Sequence, residues 1–160
     1  MKAQNGQTRT RTRRGPTPEW AVQKAIVQFL CASRLGTVKR VNVGVAWMGG
    51  SNHAWGPKGR PVRFGEKGHS DLVLEFEGST RCAFIETKRP GWKPPQRPKD
   101  TAAASTWRKY RDHLDQVAFL ERQRERGHLA FFATSPEDVE RELRAAGINL
   151  PISTHARRPR

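Results

Sequence analysis

Two short segments contain acidic residues and a lysine at a spacing that could support metal chemistry. Asp71 opens the run 71–77, and Glu86 and Lys88 lie near the end of the run 80–88. The Gly-Ser dipeptide between these runs suits a two-residue type II′ turn, so the sequence predicts a β-hairpin. In that register Asp71 lies directly opposite Glu86 on one face, and Lys88 lies on the same face two residues further on.

Two carboxylates that face each other across a hairpin repel, so this arrangement needs a compensating interaction. A divalent cation would provide it, because hard cations prefer carboxylate oxygen ligands. The alternative is that Asp71 and Glu86 are solvated strand ends and Lys88 is their salt-bridge partner. The other face of the hairpin is apolar and is expected to lie in the core; its residues are Leu72, Leu74, Phe76, Ala83 and Ile85.

These residues resemble the core of the PD-(D/E)xK nucleases. The matching segments are Gly-x-x-Asp at 68–71 and Phe-Ile-Glu-Thr-Lys at 84–88. They are most similar to the virus-type replication-repair nuclease (VRR-NUC) group, and the similarity extends from Glu19 to about Asp138. Ser70 stands where the group usually has proline. The resemblance implies a restriction-endonuclease-like α/β sandwich, with a mixed central sheet flanked by helices.

The resemblance also implies roles for particular residues. Asp71 and Glu86 are the expected metal ligands, and the backbone carbonyl of Thr87 and the carboxylate of Glu19 are candidates to complete the shell. Mg²⁺ is the expected ion and Mn²⁺ the expected substitute, since all-oxygen ligands suit both. Lys88 would position or polarise the attacking water, or neutralise the scissile phosphate. The predicted catalytic residues are Glu19, Asp71, Glu86, Lys88 and Gln116.

A first helix is predicted from Pro18 to about Arg34, with Thr17 as its N-cap and Gly36 ending it. Glu19 lies on the apolar stripe of this helix, where an acid needs a partner. The alternative is a first-turn acid that interacts favourably with the helix dipole.

The remaining patterns predict an α/β protein. Alternation predicts a strand over 38–47, and a short strand follows at 62–64. A helix is expected from 101 or 105 to 126, with Gln116 on its apolar face. The compact apolar run 129–134 predicts a central strand, and 135–147 predicts a final capped helix. This order of elements is typical of a mixed sheet between helices.

The chain is strongly basic, with a formal charge of +15 and a sequence pI of about 11.2. All of its acidic residues lie between 18 and 150, the predicted nuclease domain. Residues 1–17 are predicted to be a disordered basic arm, and 151–160 a basic tail. Such a charge favours nucleic acid as the partner. No predicted helix combines a basic face with a broad apolar one, so membrane is not expected as a partner.

The segment 89–99 contains four prolines and four basic residues, which indicates an irregular basic loop beside the predicted site. Trp92 in this loop could stack on a base as part of a substrate clamp. The alternative is a solvated connector with Trp92 packed on the body of the protein. The predicted DNA-binding residues are Arg11, Arg13, Arg14, Arg89, Trp92, Lys93 and Arg97.

Several other classes of site are not indicated. Cys31 and Cys82 are far apart and predict neither a disulfide framework nor a zinc site. The five histidines show no clustered ligand spacing. No apolar run reaches membrane-spanning length, and the basic N-terminus lacks the apolar region of a secretory signal. A bacterial or phage-infected cytoplasm is therefore the expected location.

Two functions are consistent with these patterns. The first is a metal-dependent DNA endonuclease selective for Holliday junctions or other branched DNA, acting in replication, recombination or repair. Because resolving a four-way junction takes two symmetric nicks, a homodimer is expected, with contacts from 38–47 and 49–59. The second is a non-catalytic basic nucleic-acid-binding protein whose hairpin acids are structural.

Overall fold

The computed structural model describes residues 17–41, 44–48 and 60–150. Most of the predicted N-terminal arm, the C-terminal tail and the loops at 49–59 lie outside the described residues. The elements in chain order are α1 (Glu19–Ser33), β1 (Gly36–Arg40), β2 (Gly44–Met48), β3 (Arg60–Phe64), β4 (Leu72–Phe76), β5 (Cys82–Thr87), α2 (Ala104–Glu125), β6 (Leu129–Ala133) and α3 (Pro136–Ala145).

The main sheet of the described chain has four strands in the order β1-β4-β5-β6. β1, β4 and β5 are antiparallel neighbours, while β6 runs parallel to β5. The predicted α/β class with a mixed sheet is therefore confirmed. β6 was expected to be central, but it lies at one edge of this sheet. Its apolar composition reflects burial on both faces, because α2 and α3 both pack against it.

The hairpin of β4 and β5 has the predicted register, with Val73 opposite Phe84 and Leu72 opposite Ile85. Its turn differs from the prediction. The closing hydrogen bond runs from the Ser79 N–H to the Phe76 carbonyl, so the predicted two-residue type II′ turn does not form. Gly78 has a φ of 67° and takes the third position of this turn, a position that favours glycine.

Two apolar clusters bury the two faces of the sheet. The larger one joins α1 and α3 to the face of the hairpin that carries Leu72, Leu74 and Ile85, as predicted. The smaller one places Phe119 of α2 against Phe84 on the opposite face. Because Phe84 and Glu86 share this second face, α2 is the helix that brings its side chains towards the hairpin acids.

The predicted strand over 38–47 is wrong as a single element. The chain leaves the main sheet after β1, and residues 44–48 form a separate two-stranded sheet with β3. The alternation of apolar residues in the sequence continues from β1 to β2, so the pattern could not reveal that the two strands belong to different sheets. The predicted dimer contact at 38–47 therefore belongs to two different sheets.

The first helix begins one residue later than predicted. Pro18, and not Thr17, is the N-cap, and its extended backbone lets its carbonyl accept from the Ala21 N–H. The helix ends at Ser33, and its C-cap Arg34 has a left-handed φ of 53°, so Gly36 is free to begin β1. The last helix is capped as predicted, since the Ser135 hydroxyl accepts from the Asp138 N–H.

None of the helices within the described ranges has the length and apolar character needed to cross a lipid bilayer.

Candidate active site

Glu86 lies near the end of β5 and is the most buried acid of the candidate site, with 2% of the residue exposed. Its Oε1 accepts hydrogen bonds from Lys88 Nζ at 2.7 Å and from Gln116 Nε2. Its Oε2 is also buried and has no hydrogen-bond partner within the described part of the chain. A buried carboxylate oxygen without a partner is costly, and it marks a position where a cation or a water would be favourable.

Asp71 is fixed beside Glu86 by the next residue of β5. Its Oδ2 accepts from both the backbone N–H of Thr87 at 2.9 Å and the Thr87 hydroxyl at 2.6 Å. The Asp71 carbonyl in turn accepts from the Val41 N–H, which extends the pairing of β1 with the chain before β4. The carboxylate therefore has a defined orientation, as a preorganised site requires.

The glycine of the Gly-x-x-Asp pattern lets the turn before Asp71 approach α2 closely. Gly68 has a φ of 80°, and a Cβ at this position would lie 2.4 Å from the backbone carbonyl oxygen of Asp115. Only glycine fits this contact without movement of the chain. Ser70 is fully buried, and its hydroxyl donates to the Leu72 carbonyl. The turn thus joins Asp71 to the helix that carries Gln116.

A cavity of about 500 Å³ opens over these groups. It collects Glu19, Asp71, Glu86, Thr87 and Gln116, five of the residues singled out from the sequence. The remaining catalytic candidate, Lys88, joins the group through its ion pair with Glu86, and only 12% of its side chain is exposed. The structure therefore brings the predicted catalytic residues together.

Burial is the main reason that the pKa of Glu86 is raised from 4.5 to about 7. The negative charge of Asp71 raises it further, and Glu19 makes a smaller contribution in the same direction. The charge and hydrogen bond of Lys88 lower the pKa, but they offset only part of this effect. Two neighbouring acids thus disfavour the charged form of Glu86, which is the situation that a bound divalent cation relieves.

Lys88 also lies beside two aromatic rings. Its Nζ lies 5.8 Å from the ring centroid of Trp92 and 6.0 Å from that of Phe132. Trp92 stacks on Phe132 with ring centroids 5.1 Å apart and meets His113 edge-on. Burial, followed by the charge of Lys88, lowers the pKa of His113. Trp92 is thus packed on the body of the protein, the alternative arrangement considered above.

The basic loop after β5 presents its cations to solvent. Arg89, Lys93 and Arg97 are all exposed, so they are available to contact a polyanion. Arg11, Arg13 and Arg14 lie outside the described residues.

Sequence reasoning missed several other residues that line the cavity. Gln23 follows Glu19 by one helical turn, and Asp112 precedes Gln116 by one turn, so helical periodicity could have identified both. The others come from elements whose meeting depends on the tertiary fold, and they give no local signal. These residues are Trp20, Arg40, Lys67 and Asp115.

The carboxylates of Asp71 and Glu86 fit Mg²⁺ better than they fit a metal ion that takes all of its ligands from the protein. Within the described ranges, no three His, Cys, Asp or Glu side chains form a group that could hold a metal ion. Mg²⁺ does not need one, because it keeps several waters and is bound through one or two carboxylates together with substrate phosphates. Asp71 and the buried Oε2 of Glu86 can provide these two carboxylates.

Comparison with protein-family models, with curated proteins and with solved structures finds no match to this chain.

The raised pKa of Glu86 predicts how stability depends on pH without metal. A carboxyl whose folded-state pKa is about 7 contributes stability below its ordinary pKa of 4.5, and this stability is lost as the pH rises through 7. We therefore expect Glu86→Gln in a chelator to be more stable than the wild type at pH 8, by about 3 kcal/mol. The gain should fall to about 1 kcal/mol at pH 5. Urea unfolding at both pH values measures it.

Glu75→Gln is the matched control, because Glu75 is an exposed acid paired with Lys39. This variant should change the free energy of unfolding by less than about 1 kcal/mol at either pH. A Glu86→Gln variant that is less stable than the wild type at pH 8 would contradict the assignment of a strained, buried carboxylate.

Proposed function

We propose that the protein is a metal-dependent phosphodiesterase that hydrolyses DNA. The observation that carries this proposal is the buried Oε2 of Glu86, which has no hydrogen-bond partner among the described residues. Burial, and after it the charge of Asp71, raises the pKa of this carboxyl. If Glu86 served only as a structural ion-pair partner of Lys88, one of its two carboxylate oxygens, Oε1, would be sufficient. The second oxygen, next to another carboxylate, is a costly arrangement that a divalent cation would make favourable.

In this proposal Asp71 and Glu86 hold the ion, and the Thr87 carbonyl is a candidate further ligand. Glu19 would act through a metal-bound water, because no three His, Cys, Asp or Glu side chains among the described residues form a group that could hold a metal ion directly. Mg²⁺, or Mn²⁺ in its place, would supply an activated water and neutralise charge on the phosphate. The two hydrogen bonds from Thr87 keep Asp71 in one orientation. The raised pKa of Glu86 means that metal binding competes with a proton near neutral pH.

Lys88 and Gln116 act on the same carboxylate oxygen. Both donate to Oε1 of Glu86, so they fix the orientation of the carboxylate and leave Oε2 free to ligate. The Lys88 ammonium, which lies 2.7 Å from Oε1 of Glu86, would also orient the attacking water or neutralise the scissile phosphate. Burial of the Lys88 side chain strengthens these interactions, because water screens them less.

A more specific function follows from the resemblance to the VRR-NUC group. The mixed sheet between α2 on one face and α1 with α3 on the other is compatible with a restriction-endonuclease-like sandwich. In this interpretation the protein is a structure-selective endonuclease that cuts Holliday junctions or other branched DNA. It would act in replication, recombination or repair, in the cytoplasm of a bacterial or phage-infected cell.

A panel of labelled DNAs tests this function. Linear, flapped and four-way DNAs are incubated with the protein in Mg²⁺, in Mn²⁺ and in a chelator. We expect cleavage only with metal, and at least about tenfold faster on branched DNA than on the linear duplex. Glu86→Gln purified in the same way controls for a contaminating nuclease. Tight binding without cleavage in either metal would instead favour the non-catalytic nucleic-acid-binding protein.

Assembly is tested separately by light scattering with and without junction DNA. A two-fold dimer would supply two Asp71–Glu86–Lys88 sites in matching orientations, as two symmetric nicks require. A monomer mass in both conditions would contradict the dimer but not the nuclease.

A further inference from the structure

Trp20 is an exposed aromatic side chain beside the candidate site. It follows Glu19 directly in the first turn of α1, and 67% of the residue is exposed to solvent. Leu114 is the other large apolar residue that is similarly exposed in the described part of the chain. The main cavity is lined by Trp20 but not by Leu114. An exposed indole at the edge of a polar cavity is the kind of feature that marks a binding surface.

Trp20 also lines a smaller cavity. Its volume is about 280 Å³, close to the lower limit of small-molecule sites and too small for a duplex. Val27 is the other apolar residue in its lining, and Lys24 and Arg40 bring positive charge. The described residues that line it include no acid. This chemistry suits a flat apolar ring with an anion attached.

The two cavities share one wall. Trp20, Gln23 and Arg40 line both of them. Arg40 ends β1, and its guanidinium donates to the Gln23 side-chain oxygen at 2.7 Å, which holds the arginine against α1. A ligand in the smaller cavity would therefore lie against the wall that is shared with the cavity lined by Asp71 and Glu86.

We propose that Trp20 forms a stacking site for an unpaired DNA base next to the phosphate that is cut. Lys24 and Arg40 would contact the phosphates that flank this base. Bases stack on exposed aromatic side chains without regard to sequence, and nearby cations follow the backbone. The inference rests on the proposed nuclease function and adds a physical basis for preferring branched DNA: an unpaired base can enter the small cavity, whereas a base inside a duplex cannot.

Binding without cleavage tests the stacking site. Wild type, Trp20→Ala and Trp20→Phe are titrated in a chelator with a flapped DNA and with a linear duplex of equal length. We expect Trp20→Ala to weaken binding to the flapped DNA by about tenfold or more, and to the duplex by less than about twofold. Trp20→Phe should restore most of the affinity. A 2-aminopurine at the unpaired position should be quenched by the wild type and not by Trp20→Ala.

Leu114→Ala is the matched control, since it removes the other exposed apolar side chain and should leave both affinities unchanged. Equal loss on both DNAs, or no loss on either, would overturn the stacking site. Loss of a dimer on light scattering in Trp20→Ala would overturn it as well, by making Trp20 a subunit contact. Cleavage of DNA by the wild type is measured in parallel. If the wild type cleaves DNA but Trp20→Ala binds the flapped DNA normally, only the stacking site is refuted. If Trp20→Ala loses affinity for the flapped DNA but the wild type does not cleave DNA, only the nuclease function is refuted.

Discussion

Asp71→Asn is expected to abolish Mg²⁺-dependent DNA cleavage, with a loss of at least about a thousandfold in rate. The bound metal ion would stabilise the charge of the transition state by several kcal/mol. Each 1.36 kcal/mol of this stabilisation changes the rate tenfold. DNA binding should persist or tighten, because the variant removes a negative charge that faces the phosphate. Single-turnover nicking of a junction DNA measures the rate, and electrophoretic mobility shift measures binding.

Asp112→Asn provides the matched control for this loss. Asp112 lines the same cavity but is exposed, so its removal changes the local charge equally without touching the Asp71–Glu86 pair. This control should retain cleavage within about threefold of the wild type. Nicking by Asp71→Asn within tenfold of the wild type would refute Asp71 as a metal ligand.

Lys88→Met should reduce the cleavage rate by about a hundredfold or more, which is the usual effect of losing one well-placed polar catalytic group. Methionine keeps the length of the side chain and its packing against Trp92, but it cannot interact with water or phosphate as a cation does. Lys88 also lowers the pKa of Glu86, so the remaining activity should need a higher pH. The rate measured from pH 6 to pH 9 tests both expectations.

Lys67→Met is the control for general loss of positive charge. Lys67 also lines the cavity, but it pairs with Asp115 at 2.5 Å and is largely exposed. We expect a modest change in its affinity for DNA and no shift in its pH profile. If Lys88→Met lost Mn²⁺ binding at pH 8.5 together with activity, Lys88 would be a structural residue and not a catalytic one.

The hairpin was predictable because its information is local. The alternating apolar face fixes the register, and the register places Asp71 beside Glu86. The turn itself was wrong in detail, yet the register was right, because burial of Leu72, Leu74 and Ile85 on one face tolerates a different turn but not a shifted strand.

Other features depend on contacts that no local pattern records. The apolar alternation of the sequence runs from β1 into β2 without a break, so the change of sheet was not visible in the sequence. The placement of Lys88 beside Trp92 and Phe132 joins a loop to a strand some forty residues away in sequence. The orphaned Oε2 of Glu86 likewise appears only when α2 covers this face of the hairpin.

Calorimetric titration of the wild type with Mn²⁺ at pH 8 tests the central claim most directly. The claim is that Asp71 and Glu86 together hold one divalent cation, and binding can be measured without any DNA. We expect saturable binding to the wild type and to Asp112→Asn, and none to Asp71→Asn or to Glu86→Gln. Binding should weaken as the pH falls below 7, where a proton occupies Glu86. Equal binding of Mn²⁺ by the wild type, Asp71→Asn and Glu86→Gln would contradict the account.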